Sequence, residues 1–210
     1  MDLKILSIVK SHTPGFCNVV ISDGTSFHCS NDLAIKYNIY KGRIVNSELI
    51  ALLQKEQKIY NLKQAAYNYA SYKKRTEHQV NEKLLSKGFT NGEILIAIEF
   101  LKKFDLLDDE KFANDFVRYY KQQKKAGKSR IISELLKRGV AKDISLKAYM
   151  ENTTDTENYL LAIEAAQKKL KSIRSRPVEK QKSSISAYLA RQGFDWDTIR
   201  SVMKEVLGKE

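Results

Sequence analysis

Two cysteines and two prolines are all that 210 residues contain. Cys17 and Cys29 cannot build the disulfide framework of a small secreted domain, so a reducing compartment is expected. Two prolines and nine glycines are few for a chain made mainly of turns and short strands. No apolar stretch approaches the roughly 18 residues needed to cross a bilayer. The opening Met1-Asp2-Leu3-Lys4 carries an acid where a secretion signal wants bases, and its apolar run stops at Lys10. Nucleophile elbows, glycine-rich phosphate loops and paired glycosidase carboxylates are missing. The expectation is a cytoplasmic protein that is not an enzyme and needs no cofactor, metal or membrane.

What is present is core-forming and basic. Apolar residues make up 42% and charged residues 30%, enough for a packed interior. The net charge is +12, of which residues 61–210 carry +10, and such an excess belongs on a surface that meets a polyanion. His12, Cys17, His28 and Cys29 lack the paired spacing of a zinc knuckle. Cys17 alternates instead with Val19 and Ile21, as on a buried strand face. Asp105, Asp108, Asp109 and Glu110 read as caps of the following helix, with Asp109 a simple cap, because no further metal-ligating side chains stand at helical spacing.

Residues 1–60 read as a small module of strands and helices. Leu3 to Val9, Phe16 to Ile21 and Thr25 to Cys29 are three short strands, with Asp23-Gly24 the turn between the last two. Asn31 or Asp32 caps a helix through Tyr37, and Ser47 caps another to about Lys58. From Asn61 onward helical periodicity takes over. Thr76-x-x-Gln79, Thr90-x-x-Glu93 and Thr154-x-x-Glu157 fit the capping box, and Asp195 and Pro177 also suit helix starts.

One phrase is written three times in this second part. Leu84-Leu85-Ser86-Lys87-Gly88-Phe89, Leu135-Leu136-Lys137-Arg138-Gly139-Val140 and Leu189-Ala190-Arg191-Gln192-Gly193-Phe194 each end a helix on a glycine, with Ile94, Ile144 and Ile199 following. Glycine supplies the left-handed stop, the basic residue suits the negative end of the helix dipole, and the next apolar residue packs back. A helix precedes each phrase, at Leu62–Lys74, Glu110–Lys124 and Glu157–Arg174. The reading is a mainly α protein of tandem three-helix repeats, elongated and curved: residues 61–107, 108–152 and 153–210, after the β-containing module 1–60.

Positive charge recurs at the joint after each repeat's first helix. Lys73, Lys74 and Arg75 mark the first joint; Lys124, Lys125, Lys128 and Arg130 the second; Lys169, Arg174 and Arg176 the third. A solvated face needs no such recurrence, so polyanion contact is preferred. Tyr67, Tyr69, Tyr72, Tyr119 and Tyr120 stand beside basic residues and could stack on bases, but read first as helix-contact residues with wet hydroxyls.

The segment Leu106-Leu107-Asp108-Asp109-Glu110-Lys111-Phe112-Ala113, followed by Lys128-Ser129-Arg130-Ile131 and Glu134-Leu135-Leu136-Lys137-Arg138-Gly139-Val140, resembles the central repeat of the RecX family of bacterial regulatory proteins. Tyr72-x-x-Arg75-Thr76-Glu77 and Leu84-x-x-Lys87-Gly88-Phe89 resemble its first repeat. Leu189-x-x-Gln192-Gly193-Phe194-Asp195 resembles its third, with Gln192 where the family often has arginine. The resemblance implies a non-catalytic modulator of RecA, the recombinase that polymerises on single-stranded DNA. Such a protein lies in the groove of the RecA–DNA filament and lowers strand exchange, ATP hydrolysis and co-protease activity. A monomer is expected, with the ten cations named above facing filament DNA, single- or double-stranded, or an acidic RecA surface. The competing readings are a helix–turn–helix protein that reads a duplex operator and a helical-repeat scaffold for protein partners.

Overall fold

Alternating apolar residues and a tight Asp-Gly turn set up a small sheet between Leu3 and Val45, with one short helix inserted before its last strand. In the computed structural model, which describes residues 3–208, β1 (Leu3–Lys10), β2 (Phe16–Ile21), β3 (Ser26–Ser30) and β4 (Ile44–Val45) form one antiparallel sheet in the order β3-β2-β1-β4. Asp23 closes the β2–β3 turn by accepting from the backbone and hydroxyl of Thr25 at 2.9 and 2.6 Å, while Gly24 takes φ +83°. Cys17, Val19 and Ile21 point one way along β2 and are buried. Cys17 and Cys29 are register partners across β2 and β3, and both are free thiols, with burial pushing each up and Cys29 to about 11. The two-residue β4 has too little pattern to be read from sequence.

Ten helices follow one another through the described residues: α1 (Asn31–Lys36), α2 (Ser47–Tyr72), α3 (Glu77–Leu85), α4 (Asn91–Lys103), α5 (Asp109–Lys124), α6 (Lys128–Leu136), α7 (Lys142–Glu151), α8 (Asp155–Ile173), α9 (Val178–Gln192) and α10 (Trp196–Leu207). The fold is mainly α. Helix α2 runs straight through Asn61, where two separate helices were expected. Nothing between Lys58 and Leu62 breaks a helix, and Gln57 Nε2 donates to Asn61 Oδ1 at 2.8 Å across the expected break. Gln57 Oε1 also accepts the buried backbone N–H of Ser30 at 2.6 Å, which ties α2 to the end of β3.

The described chain divides into two compact units, Met1–Tyr69 with Leu84–Phe100 and Ala70–Lys83 with Leu101–Glu210. In the first, Ile5, Val19, Cys29 and Val45 of the sheet pack with Leu33 of α1 and Leu53 of α2. In the second, Ala113, Val117, Ile131, Leu135, Val140 and Ala148 form one core cluster, and α8, α9 and α10 close round another that contains Ala165, Leu189 and Ile199.

All three capping boxes form, with reciprocal bonds at Thr76–Gln79, Thr90–Glu93 and Thr154–Glu157. Asp195 caps α10 through Thr198, whereas α5 is capped by Asp108, which accepts from Lys111 at 2.9 Å. Gly88, Gly139 and Gly193 all take positive φ. Ile94 and Ile199, six residues after their glycines, are buried; six residues after Gly139 that position is Ser145, buried with its hydroxyl donating to the Ala141 carbonyl, and Ile144 beside it is only half-buried.

The phrase ends also join the helices of the second unit head to tail. Gly127 and Ser129, at the start of α6, donate to the carbonyls of Gln192 and Gly193 at the end of α9, at 2.8 and 3.0 Å. Thr76, before α3, donates its hydroxyl to the Arg138 carbonyl at the end of α6, at 2.6 Å. A Cβ on Gly193 would land on the Arg130 backbone, and one on Gly139 on the His78 side chain. Each glycine therefore serves both as left-handed stop and as the gap that admits the next helix start. Carbonyl ends meet amide ends, so the helix dipoles of α9, α6 and α3 are matched.

Candidate nucleic-acid interface

Helix α5 builds the floor of the site. Ala113 and Val117 face the core, and Phe112, Phe116 and Tyr120 occupy a neighbouring stripe at four-residue spacing, each half-buried. Their rings form a ladder, with centroids 6.0 Å apart for Phe112–Phe116 and 4.2 Å for Phe116–Tyr120. The Arg138 guanidinium lies over Phe116, 4.7 Å from its centroid, and is held there by Glu134 Oε2 at 2.7 Å. Arg138 is also the residue before Gly139 whose carbonyl accepts the Thr76 hydroxyl at the α6–α3 joint.

Above this floor opens a cavity of about 400 Å³. Its cations are Lys73, Lys74 and Arg75 from the segment between α2 and α3, Lys124 from the end of α5, and Arg138 from the end of α6. Lys124 stands fifteen residues before Gly139, as Lys73 stands fifteen before Gly88, so equivalent positions of two repeats meet at one place. Lys74 and Arg138 are held by carboxylates. Lys74 bonds Asp115, which also takes Arg118 at 2.6 Å, and these two bonds hold the Asp115 carboxyl below the usual range. Arg138, with Lys137, does the same to Glu134. Lys73 and Lys124 are exposed and enter no ion pair among the described residues. A smaller adjoining cavity of about 100 Å³ shares Lys74, Arg75 and Phe112 but has Asp105 and Asp108 in its wall. With Lys111 the smaller cavity carries three cations against two acids, whereas the larger opening has five cations and no acid in its lining and is the more positive of the two.

The other expected cations lie elsewhere. Lys125 takes the left-handed position after α5 and pairs with Glu164 at 2.5 Å. Lys128 lines a separate cavity of about 250 Å³, its ammonium 5.9 Å from the centroid of Tyr149. Burial pushes that tyrosine up to about 12, and its hydroxyl donates to Asn158 at 3.0 Å. Arg130 donates to the Gln192 side chain across the α6–α9 joint. The Lys169 ammonium sits 5.9 Å from the Tyr188 ring centroid. Arg174 and Arg176 are exposed in the α8–α9 turn, where Gln181 Nε2 bonds their carbonyls at 3.1 and 2.7 Å. The first joint and one lysine of the second thus share a cavity to which the third joint contributes nothing.

Arg138, Phe112 and Phe116 were not among the expected site residues. The spacing of Phe112, Phe116 and Tyr120 was visible as a helical stripe, but a stripe of that kind more often marks core. Among the described residues no three His, Cys, Asp or Glu side chains gather as metal ligands, and no helix is long and apolar enough to cross a membrane.

Comparison with known proteins fits this arrangement of repeats. Three sequence models, described as the first, second and third three-helix domains of RecX, match residues 63–101, 108–148 and 155–203. Regulatory protein RecX of Clostridium perfringens strain 13 is 30% identical over 99% of this chain and 98% of its own length. That of Clostridium botulinum strain Eklund 17B is 34% identical over 92% and 91%. A crystal structure of regulatory protein RecX superposes with a TM-score of 0.74 at 21% identity, covering 99% of this chain and all of that one. RecX from Lactobacillus salivarius gives 0.66 at 26% identity, over 72% of this chain and 97% of that one. With three successive repeat matches and near-full-length relatives, this chain belongs to the RecX family of regulatory proteins.

Proposed function

We propose that this chain is a non-catalytic, monomeric, cytoplasmic regulator that binds the RecA–single-stranded DNA filament and lowers its ATP turnover, strand exchange and co-protease activity. The family assignment supports the regulatory role. The contact surface we assign is the cavity where Lys73, Lys74, Arg75 and Lys124 converge, and that convergence is the observation that carries the reading. Lys73 and Lys124, exposed and in no ion pair among the described residues, gain most from meeting phosphates, because each contact releases a condensed counterion. Arg174 and Arg176 would extend the contact, and Lys125, Lys128, Arg130 and Lys169 would contribute less, since each already faces a side-chain partner. In this reading the repeats 61–107, 108–152 and 153–210 act together on the filament, and the module 1–60 is carried with them.

The test adds the full chain to filaments preformed on single-stranded DNA and follows ATP hydrolysis. Wild type lowers turnover, and Lys73→Glu with Lys124→Glu abolishes most of the effect at moderate salt. A double variant that inhibits like wild type at every salt concentration removes this face from the mechanism.

A further inference from the structure

Four aromatic side chains line the cationic cavity, and they are not equivalent. Phe116 has the Arg138 guanidinium 4.7 Å from its centroid and the Tyr120 ring 4.2 Å away. Phe112 leans on Phe116. Tyr119 differs: it is 51% exposed, its only ring neighbour among the described residues is Tyr120, met edge-on at 5.9 Å and 64°, and no cation covers its face. The two exposed lysines without acidic partners, Lys73 and Lys124, line the same opening.

We infer that Tyr119 is a stacking platform for one unpaired base of a single-stranded nucleic acid, with the flanking phosphates on Lys73 and Lys124. This rests on the proposed function and adds the groups that tell unpaired from paired DNA at that surface. An open π-face accepts any base, and stacking on it is sequence-tolerant. Bases within a duplex have both faces occupied by neighbours and can reach Tyr119 only by being extruded, at a cost of a few kcal/mol. An acidic peptide would use the lysines and leave the ring idle, so the ring points to a nucleic acid.

The test measures fluorescence anisotropy of a labelled oligothymidylate and of a blunt-ended duplex without loops or overhangs, each with the full chain. Tyr119→Ala weakens oligothymidylate binding roughly five- to hundredfold, the span of one base–aromatic stack, and leaves duplex binding within twofold; Tyr119→Phe keeps wild-type affinity for both. Because Tyr119 is half-exposed, unchanged far-ultraviolet circular dichroism separates a lost contact from a lost fold. The inference is overturned if Tyr119→Ala binds oligothymidylate like wild type, or if it weakens both ligands equally. A RecA ATPase assay run alongside keeps the two readings apart. Loss of oligothymidylate affinity with intact inhibition supports the platform and defeats the use of this face on the filament. Intact affinity with loss of inhibition on charge reversal does the opposite.

Discussion

Asp109 caps a helix other than its own. Its Oδ1 accepts the backbone N–H of Glu77, the first residue of α3, at 3.0 Å, while Asp108 caps α5. The acidic cluster therefore closes two helix starts, one local and one 32 residues away.

Burial raises the Asp109 carboxyl above its ordinary 3.8, against the bond from Glu77 that favours the anion. With the folded value above the unfolded one, the native state holds more protons between the two, so this group's contribution to stability falls as pH rises through that window. Asp109→Asn keeps a carbonyl acceptor and removes the buried charge. It is expected to melt at or above wild type at pH 7 and to lose any advantage below about pH 3.8. Asp109→Ala, which removes the acceptor, should cost about 1 kcal/mol by urea denaturation at pH 7.

The three phrase glycines should not tolerate alanine equally. Gly88 takes φ +86° in open space, so Gly88→Ala pays the left-handed penalty alone, about 1–2 kcal/mol. At Gly193 the new Cβ meets the Arg130 backbone, which cannot swing away. Thermal melts should show Gly193→Ala losing at least twice as much as Gly88→Ala, and near-equal losses would refute the close-approach role.

Ion pairing should set which lysines govern salt dependence. Replacing Lys73 or Lys124 with alanine is expected to lower the slope of log affinity against log salt for single-stranded DNA by about 0.7 each. Lys125→Ala removes a charge already facing Glu164 and should change the slope less. Equal effects at all three positions in a salt titration would contradict this ranking.

Asp115 restrains Lys74, and its removal should act in the opposite direction. Asp115→Asn frees the ammonium and is expected to tighten single-stranded DNA binding and steepen the salt slope by up to about 0.7. The lowered Asp115 value gives the matching pH effect on stability. The pair's contribution is present above the unfolded carboxylate range and is lost as pH falls through the depressed folded value, with a size of about 0–1 kcal/mol because the pair is partly exposed. A variant that binds more weakly than wild type would show that Asp115 supports the site instead.

Much of the fold was legible because its signals are local. The capping boxes at Thr76, Thr90 and Thr154 and the left-handed stops at the three glycines involve partners within a few residues, and all formed where expected. The unbroken α2 was missed because a change of composition near Asn61 resembles a boundary, although no residue there stops a helix. Phe112, Phe116 and Tyr120 were visible as a stripe, but nothing local says whether a stripe faces core, a cavity or both.

Local chemistry determined most of the helix starts and stops after Tyr72, and it placed basic residues at the joints between helices, since those effects act within one or two turns. Which of those bases meet was decided only by the tertiary structure. Lys73 and Lys124 converge, and Arg138 reaches Phe116, within the unit where Thr76 docks on the Arg138 carbonyl across 62 residues of chain. That joint requires the crowded glycine at 139 and a helix start aimed at it, a matter of packing between distant segments that no spacing along the chain encodes.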